Sequence, residues 1–301
     1  VPPARRTRVI INTDAKNQVD DQFAIVHGLL TPSFELHGLI PAHFGSARSA
    51  TSLQDSHDEV LLLLRLMGLE GKVTVADGAR AAIPDANTPA RSAGAELIIA
   101  QALKDDPRPL HIACLGPLTD MASALLMVPE IARRDVRVIW IGGGTWPVGR
   151  RDTNLGNDIA AANVVARSGI EIWQLPMPVY RHLAISHAEL SERLHDKGAI
   201  GRYLVELVLG WNVTMVESAI EHRSLGDSAA IGILMYPECG VSEWVPGPEY
   251  NALMSYVHTG RNRPIRLYHN VDHRFILEDM FVKLARFARG EQPFATFTGG
   301  S

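Results

Sequence analysis

The stretch "RVIINTDAKNQVDDQFAIVHGLL", residues 8–30, joins a continuous apolar run ending at Asp14 to a helical pattern that opens on Asp20 and Asp21. Unbroken apolar runs of this length suit strands buried on both faces. The same alternation then repeats along the chain. "FELHGLIPA" leads into "SLQDSHDEVLLLLRLMG", "KVTVADG" into "GAELIIAQALK", and "PLHIACLG" into "PLTDMASALLMV". "VRVIWIGGG" leads into "DIAAANVVARSG", and "IEIWQLPM" closes the series. Buried strands separated by helices imply right-handed crossovers and a mostly parallel sheet covered on both faces. The expected fold class is therefore α/β, doubly wound. The last third predicts long helices around "IGRYLVELVLGWNVTMVESAIEHR" and "DSAAIGILMY", and antiparallel strands near "NALMSYV" and "RPIRLYHNV". A final amphipathic helix is expected over "DHRFILEDMFVKLARFAR". No Gly/Ser/Pro-rich linker and no internal repeat interrupts the chain, so residues 1–301 are read as one domain, with its helical C-terminal region over the carboxyl edge of the sheet.

With 301 residues, 46% of them hydrophobic, the chain can bury a large core. Its net charge of −4, from 29 basic and 33 acidic residues, and the scatter of the basic ones argue against a nucleic-acid or membrane surface. A small-molecule ligand is expected. The two cysteines, Cys114 and Cys239, lack the spacing of a zinc site or a disulfide framework. The longest aliphatic run, from Val60, contains Arg65 and is too short to span a bilayer. The expected location is cytoplasmic.

In open α/β sheets ligands bind beyond the carboxyl ends of the strands. Asp14, Asp20 and Asp21 all lie at that edge. A single Asp at a helix start is explained by capping, which satisfies orphan N–H groups and the helix dipole. Capping needs one carboxylate, and here there are three. Like charges packed that closely repel by several kcal/mol even at an effective dielectric of ~20. A hard divalent cation removes this repulsion, and an all-oxygen ligand set suits Ca²⁺. Other strand ends supply further candidates: the Leu115 carbonyl, then Asp152, Asn154, Asn157 and Asp158, and Asp227 at a helix start.

Taken together, these stretches resemble the inosine-uridine-type nucleoside hydrolases. "NTDAKNQVDDQFAI" carries the closing Asp-Asp-x-x-Ala-Ile of that family's D-x-D-P-G-x-D-D-A-x-A-I. "LGPLTDMASAL" is close to T-G-P-L-T-N-x-A-x-A-L, and "DTNLGNDIAAANVV" to E-F-N-x-x-x-D-P-E-A-A. "GDSAAIGILMYPE" is similar to the H-D-P-x-A-V turn and helix, and "VDHRFILEDMF" to the last helix. The order matches across nearly the whole chain. The resemblance implies a Ca²⁺-dependent hydrolase that cleaves the N-glycosidic bond of a ribonucleoside or related riboside, assembled as a homodimer or homotetramer. It implies that Asp14 is a metal ligand and general base, Asp21 a bidentate ligand, Leu115 a carbonyl ligand, and Asp227 a ligand that also meets the sugar. Asp20 would hold a ribose hydroxyl, Asp152 and Asn154 the 5′ side of the sugar, and Asn163 a structural contact.

The pattern breaks at several places. Asn12 replaces the first Asp, "AKNQV" is two residues longer than the usual Pro-Gly turn, Asp152 replaces a Glu, and Ser46 stands where a sugar-binding Asn is expected. Gly226 occupies the place of the His that protonates the leaving base in many members. Leaving-group activation is then expected from stacking on Trp146 or from a relocated His43. A non-catalytic nucleoside- or sugar-binding member is the alternative reading.

Overall fold

The computed structural model describes residues 1–215 and 220–298. The apolar runs of the first part form β1 (Thr7–Thr13), β2 (Phe34–Pro41), β3 (Leu110–Cys114), β4 (Val136–Ile141) and β5 (Glu171–Leu175). The later strands are β6 (Ala184–Ser186), β7 (His222–Ser224), β8 (Gly240–Val245), β9 (Glu249–Tyr250), β10 (Tyr256–Val257), β11 (Ile265–Val271) and β12 (Thr296–Phe297). Eight of them make the central sheet, ordered β12-β2-β1-β3-β4-β5-β11-β8. All its pairings are parallel except β11 with β8. The sheet reverses direction of growth at β1, since β2 lies on one side of it and β3 on the other. The loops leaving β1 and β3 therefore diverge and leave a crevice.

Both faces of the sheet are covered. Along β1, Val9 and Ile11 enter one core with Phe23 and Leu29, whereas Ile10 enters the other with Ile112 and Trp140. This is the period-two alternation of a strand with no solvent face. The helices α1 (Asp21–Leu29), α2 (Ser52–Leu66), α3 (Ala93–Ala102) and α4 (Thr119–Met127) follow the first strands. Then come α5 (Thr153–Asn157), α6 (Ile159–Arg167), α7 (Met177–Tyr180), α8 (His187–Leu194) and α9 (Gly198–Met215). The last two are α10 (Ser228–Met235) and α11 (His273–Ala288). Among the described residues no helix is long and apolar enough to cross a membrane.

α10 is apolar all round, and its residues from Ser228 to Leu234 are buried. A helix of that composition has to be enclosed, and it packs against α1, α11 and the sheet. Its enclosure carries Asp227, the residue before it, to the carboxyl end of the strands.

Three expectations differ from the observed fold. "KVTVADG" makes a single bridge, Val75 to Leu39, instead of a strand. The segment stays beside β2 through Leu39 N–H to Thr74 O, Ala76 N–H to Leu39 O and Gly78 N–H to Pro41 O, and turns away where Ala79 N–H donates to Asp120. The two late strands do not pair with each other: Tyr256 in "NALMSYV" pairs with Tyr250, while β11 inserts between β5 and β8. The long helix ends in the described chain at Met215, and His222 begins β7 rather than closing that helix; residues 216–219 of the expected helix lie outside the described residues.

Candidate active site

Four carboxylates converge where β1, α1 and α10 meet. Asp14 follows β1, Asp20 and Asp21 open α1, and Asp227 precedes α10. One oxygen each from Asp20, Asp21 and Asp227 lies within 4.8 Å of the others. Asp14 stands on the same recess, which the Leu115 carbonyl segment and Asn154 complete. Gly116 permits the approach of the β3–α4 loop, because a Cβ there would stand 2.7 Å from Asp14 Cγ.

Few donors reach these oxygens. Asn17 Nδ2 donates to Asp14 Oδ2 at 2.8 Å, and Thr13 Oγ1 donates to Asp21 Oδ1 at 2.5 Å. Asp20 and Asp227 occupy N-cap positions, yet neither side chain caps its helix. Simple capping therefore does not account for them. Burial, reinforced by the Asp21 charge, pushes the Asp14 carboxyl well above the usual range. Burial and then Asp20 raise Asp21 to about 7. Burial, followed by Asp20, Asp21 and Asp14, raises Asp227. Asp20 is also raised by burial, with Arg223 pulling it back. All-oxygen donors, crowded like charges and few hydrogen bonds form a set that fits a hard divalent cation.

The recess holds only about 20 Å³, room for an ion or a water and not for a sugar ring. It opens into a cleft of about 950 Å³ that shares Gln18, Asp20, Thr153 and Tyr180 with it. That larger volume is typical of a small-molecule site.

The structure brings Asp14, Asp20, Asp21, Leu115, Asn154 and Asp227 together on the recess. Asn154 Nδ2 donates to Leu115 O at 2.6 Å and to Ile141 O at 2.9 Å, tying two strand ends together. The Leu115 carbonyl keeps a second lone pair. Asp152 lines the outer cleft with both oxygens engaged, one by Leu155 N–H at 2.9 Å and the other by the Tyr180 hydroxyl at 2.6 Å. Asn163 holds Tyr250 through both its amide groups.

Ser46, His43 and Trp146 line neither cavity. Ser46 is exposed in the loop after β2. His43 is buried, with Nε2 against Thr119 Oγ1 at 2.8 Å and Nδ1 accepting from Gly45 N–H at 3.2 Å. Burial lowers its pKa, so this ring is a neutral core group. Trp146 packs edge-on against His258 at 5.0 Å and tilted against Tyr256 at 5.7 Å. Asn12 also turns from the recess; its amide donates to Ile40 O and Asp120 Oδ2, both at 3.2 Å.

Two features escaped the sequence reading. The "AKNQV" loop is closed by Lys16 in the left-handed region, φ 89°, and by Asn17 N–H donating to Asp14 O. Arg48 in turn grips the Asn17 carbonyl and its side-chain oxygen, so the Asp14 partner is itself held. The second feature is Tyr180, whose ring covers Gly226. A Cβ at residue 226 would stand 2.8 Å from Tyr180 Cδ2. No local pattern around "PVYRH" signals this contact, which joins α7 to the segment before α10.

Residues 9–275 match the family model of the inosine-uridine preferring nucleoside hydrolases. The chain is 28% identical over 204 residues to the pyrimidine-specific ribonucleoside hydrolase RihA of Citrobacter koseri, covering 60% of this chain and 63% of that one. It is 26% identical over 229 residues to uridine nucleosidase 1 of Arabidopsis thaliana, covering 67% and 66%. These alignments thus span just under two thirds of the relatives' own length. The fold resembles that of the purine-preferring ribonucleoside hydrolase from Gardnerella vaginalis, with a TM-score of 0.75 at 18% identity over 94% of this chain and 99% of that one. The family match extends from β1 into α11 and takes in every loop that builds the acidic recess, and on that ground the chain belongs to the inosine-uridine preferring nucleoside hydrolase family.

Proposed function

We propose that this protein hydrolyses the N-glycosidic bond of a ribonucleoside or related riboside in a Ca²⁺-dependent reaction. The observation that carries this reading is the convergence of three buried carboxylates and the partly exposed Asp20, with few donors, on a recess too small for a sugar that opens into a cleft large enough for one. Asp14, Asp21, Asp227 and the Leu115 carbonyl would hold the cation. When bound, it neutralises the crowded carboxylates and orients the ribose diol.

The remaining chemistry belongs to the chain. Asp14, with a proton affinity raised by burial and neighbouring charge, takes a proton from the attacking water. Asn17, held by Arg48, fixes the orientation of that carboxylate. Asp20 and Asp227 accept from ribose hydroxyls, and their charge stabilises the oxocarbenium-like state that develops as the C1′–N bond breaks. The water oxygen bonds to C1′ and the base departs with the electron pair. Asn154 keeps the ends of β3 and β4 in register beneath the sugar.

Tyr180 over Gly226 favours one competing reading, a binding protein without leaving-group chemistry, because no acid occupies that place. A panel of ribonucleosides and p-nitrophenyl riboside, assayed for reducing sugar with and without chelator, separates the two. Calcium-dependent release supports hydrolysis. Tight ribose binding with no release from any compound would overturn it.

A further inference from the structure

The outer cleft is as crowded with positive charge as the recess is with negative. Arg150, Arg151, Arg181, Arg223 and His222 all line it. They come from the β4–α5 loop, the segment after α7, and β7, so only the fold assembles them. Arg150, Arg151 and Arg181 are absent from the ion pairs formed among the described residues, and all three are exposed. Arg223 is half-buried and held in place. One of its nitrogens donates to Gln18 Oε1 at 2.6 Å, and its guanidinium lies 5.7 Å from the Trp211 ring centre. Its buried Nε has no hydrogen-bond partner among the described residues. Asp152, one of two acidic residues that line the cleft among the described residues, has both oxygens occupied by Leu155 and Tyr180. The other, Asp20, sits at the boundary with the recess.

We propose that this cleft recognises a phosphate group on the 5′ carbon of the ribosyl substrate, so that the preferred substrate is a ribonucleotide rather than an uncharged ribonucleoside. This rests on the reading that ribose sits at the mouth of the acidic recess with its 5′ side toward Asp152. Guanidinium groups present forked donors matched to phosphate oxygens. A neutral nucleoside supplies no counter-charge to Arg150, Arg151 and Arg181, which line the cleft. Burial lowers the Arg223 pKa, the Asp20 charge pulls it back, and the Arg48 and Arg181 charges lower it further. The reaction is then ribonucleotide plus water to free base plus ribose 5-phosphate. The phosphate ester stays intact, and only the C1′–N bond breaks.

The test compares uridine, inosine and adenosine with their 5′-monophosphates and 5′-diphosphates, with p-nitrophenyl riboside as the uncharged control. For whichever base is accepted, kcat/KM for a phosphorylated form should exceed that of the nucleoside about tenfold or more, as expected of charge-assisted hydrogen bonds. The advantage should shrink as salt is raised. Whether the mono- or the diphosphate shows the larger advantage tells how much of the cleft the anion fills. Arg181→Gln, the double variant Arg150→Gln/Arg151→Gln, and Arg223→Gln should each move the ratio toward one, with Arg181→Lys retaining part of it. The first two change exposed residues, so folding does not confound them. Cleavage of the riboside and nucleosides with no phosphate advantage, and ratios unmoved in the arginine variants, would overturn the phosphate site and leave the hydrolase reading standing. No cleavage of any compound, together with arginine-dependent binding of ribose 5-phosphate over ribose by calorimetry, would overturn the hydrolase reading and leave the phosphate site standing. If ribose 5-phosphate also binds no tighter than ribose, both fall.

Discussion

Two groups of buried carboxylates lie on opposite sides of the end of β1, and they are treated in opposite ways. On one side, Asp120 accepts from Asn12 Nδ2, Ala79 N–H and Ser92 Oγ. Nearby Asp158 accepts from Ala161 N–H, Ile83 N–H and Thr119 Oγ1. On the other side, Asp14 accepts from Asn17 and Asp21 from Thr13, and Asp20 and Asp227 do not cap the helices they precede. The first group has its hydrogen-bonding capacity met by the chain and serves to tie loops together. The second keeps mutual repulsion, which is relieved by proton uptake, as the raised carboxyl pKa values express, or by a ligand of opposite charge. Residue type is the same in both, and all but the partly exposed Asp20 are buried; donor supply separates a structural carboxylate from a candidate ligand.

Substitution at the recess should have the largest effect. Asp14→Asn is expected to lower kcat by about 10²–10⁴, the range for loss of a general base, measured by release of reducing sugar. Asp21→Ala should abolish both turnover and calcium-dependent thermal stabilisation; a variant that keeps either one erases the distinction between the two groups. Asp120→Ala should do the converse. It leaves Ala79, Ser92 and Asn12 with unpaired donors and should cost about 3 kcal/mol or more of stability in denaturant titrations, while calcium still raises the Tm of the variant.

A pH series sharpens the contrast. In cation-free protein the folded carboxyl of Asp21 is raised to about 7, so between the unfolded carboxylate pKa of ~3.9 and that value the folded state binds more protons. Stability should therefore fall as pH rises from about 4 to about 7, and calcium should remove most of that fall. Differential scanning fluorimetry with chelator and with calcium reads both curves, and identical curves would contradict the cation site.

Smaller effects are expected from supporting residues. Asn17→Ala should reduce kcat about tenfold by releasing one charge-assisted bond to Asp14, with little change in Tm. Asp272 caps α11 by accepting from Phe275 N–H at 2.9 Å, the role that Asp20 and Asp227 decline. Asp272→Ala should cost about 1 kcal/mol and leave turnover untouched.

The sequence by itself determined the α/β class, because apolar runs without alternation cannot stand in water on either face. It also determined which loops carry the carboxylates, since Asp14, Asp20 and Asp21 follow a strand by position alone. Local pattern could not decide where side chains point once several elements meet. His43 and Trp146 carry chemistry that suits a leaving-group side, but one is enclosed by Thr119 and Gly45 and the other packs on Tyr256 and His258. Asn12 stands where the family pattern has its first Asp; strand alternation sends its amide to Asp120 while Thr13 faces Asp21. The enclosure of α10, the Tyr180 ring over Gly226 and the meeting of Arg150, Arg181 and Arg223 depend on contacts between residues distant in the chain. Such contacts leave no periodic trace in the sequence, because their energy comes from packing and charge in three dimensions rather than from any residue's neighbours along the backbone.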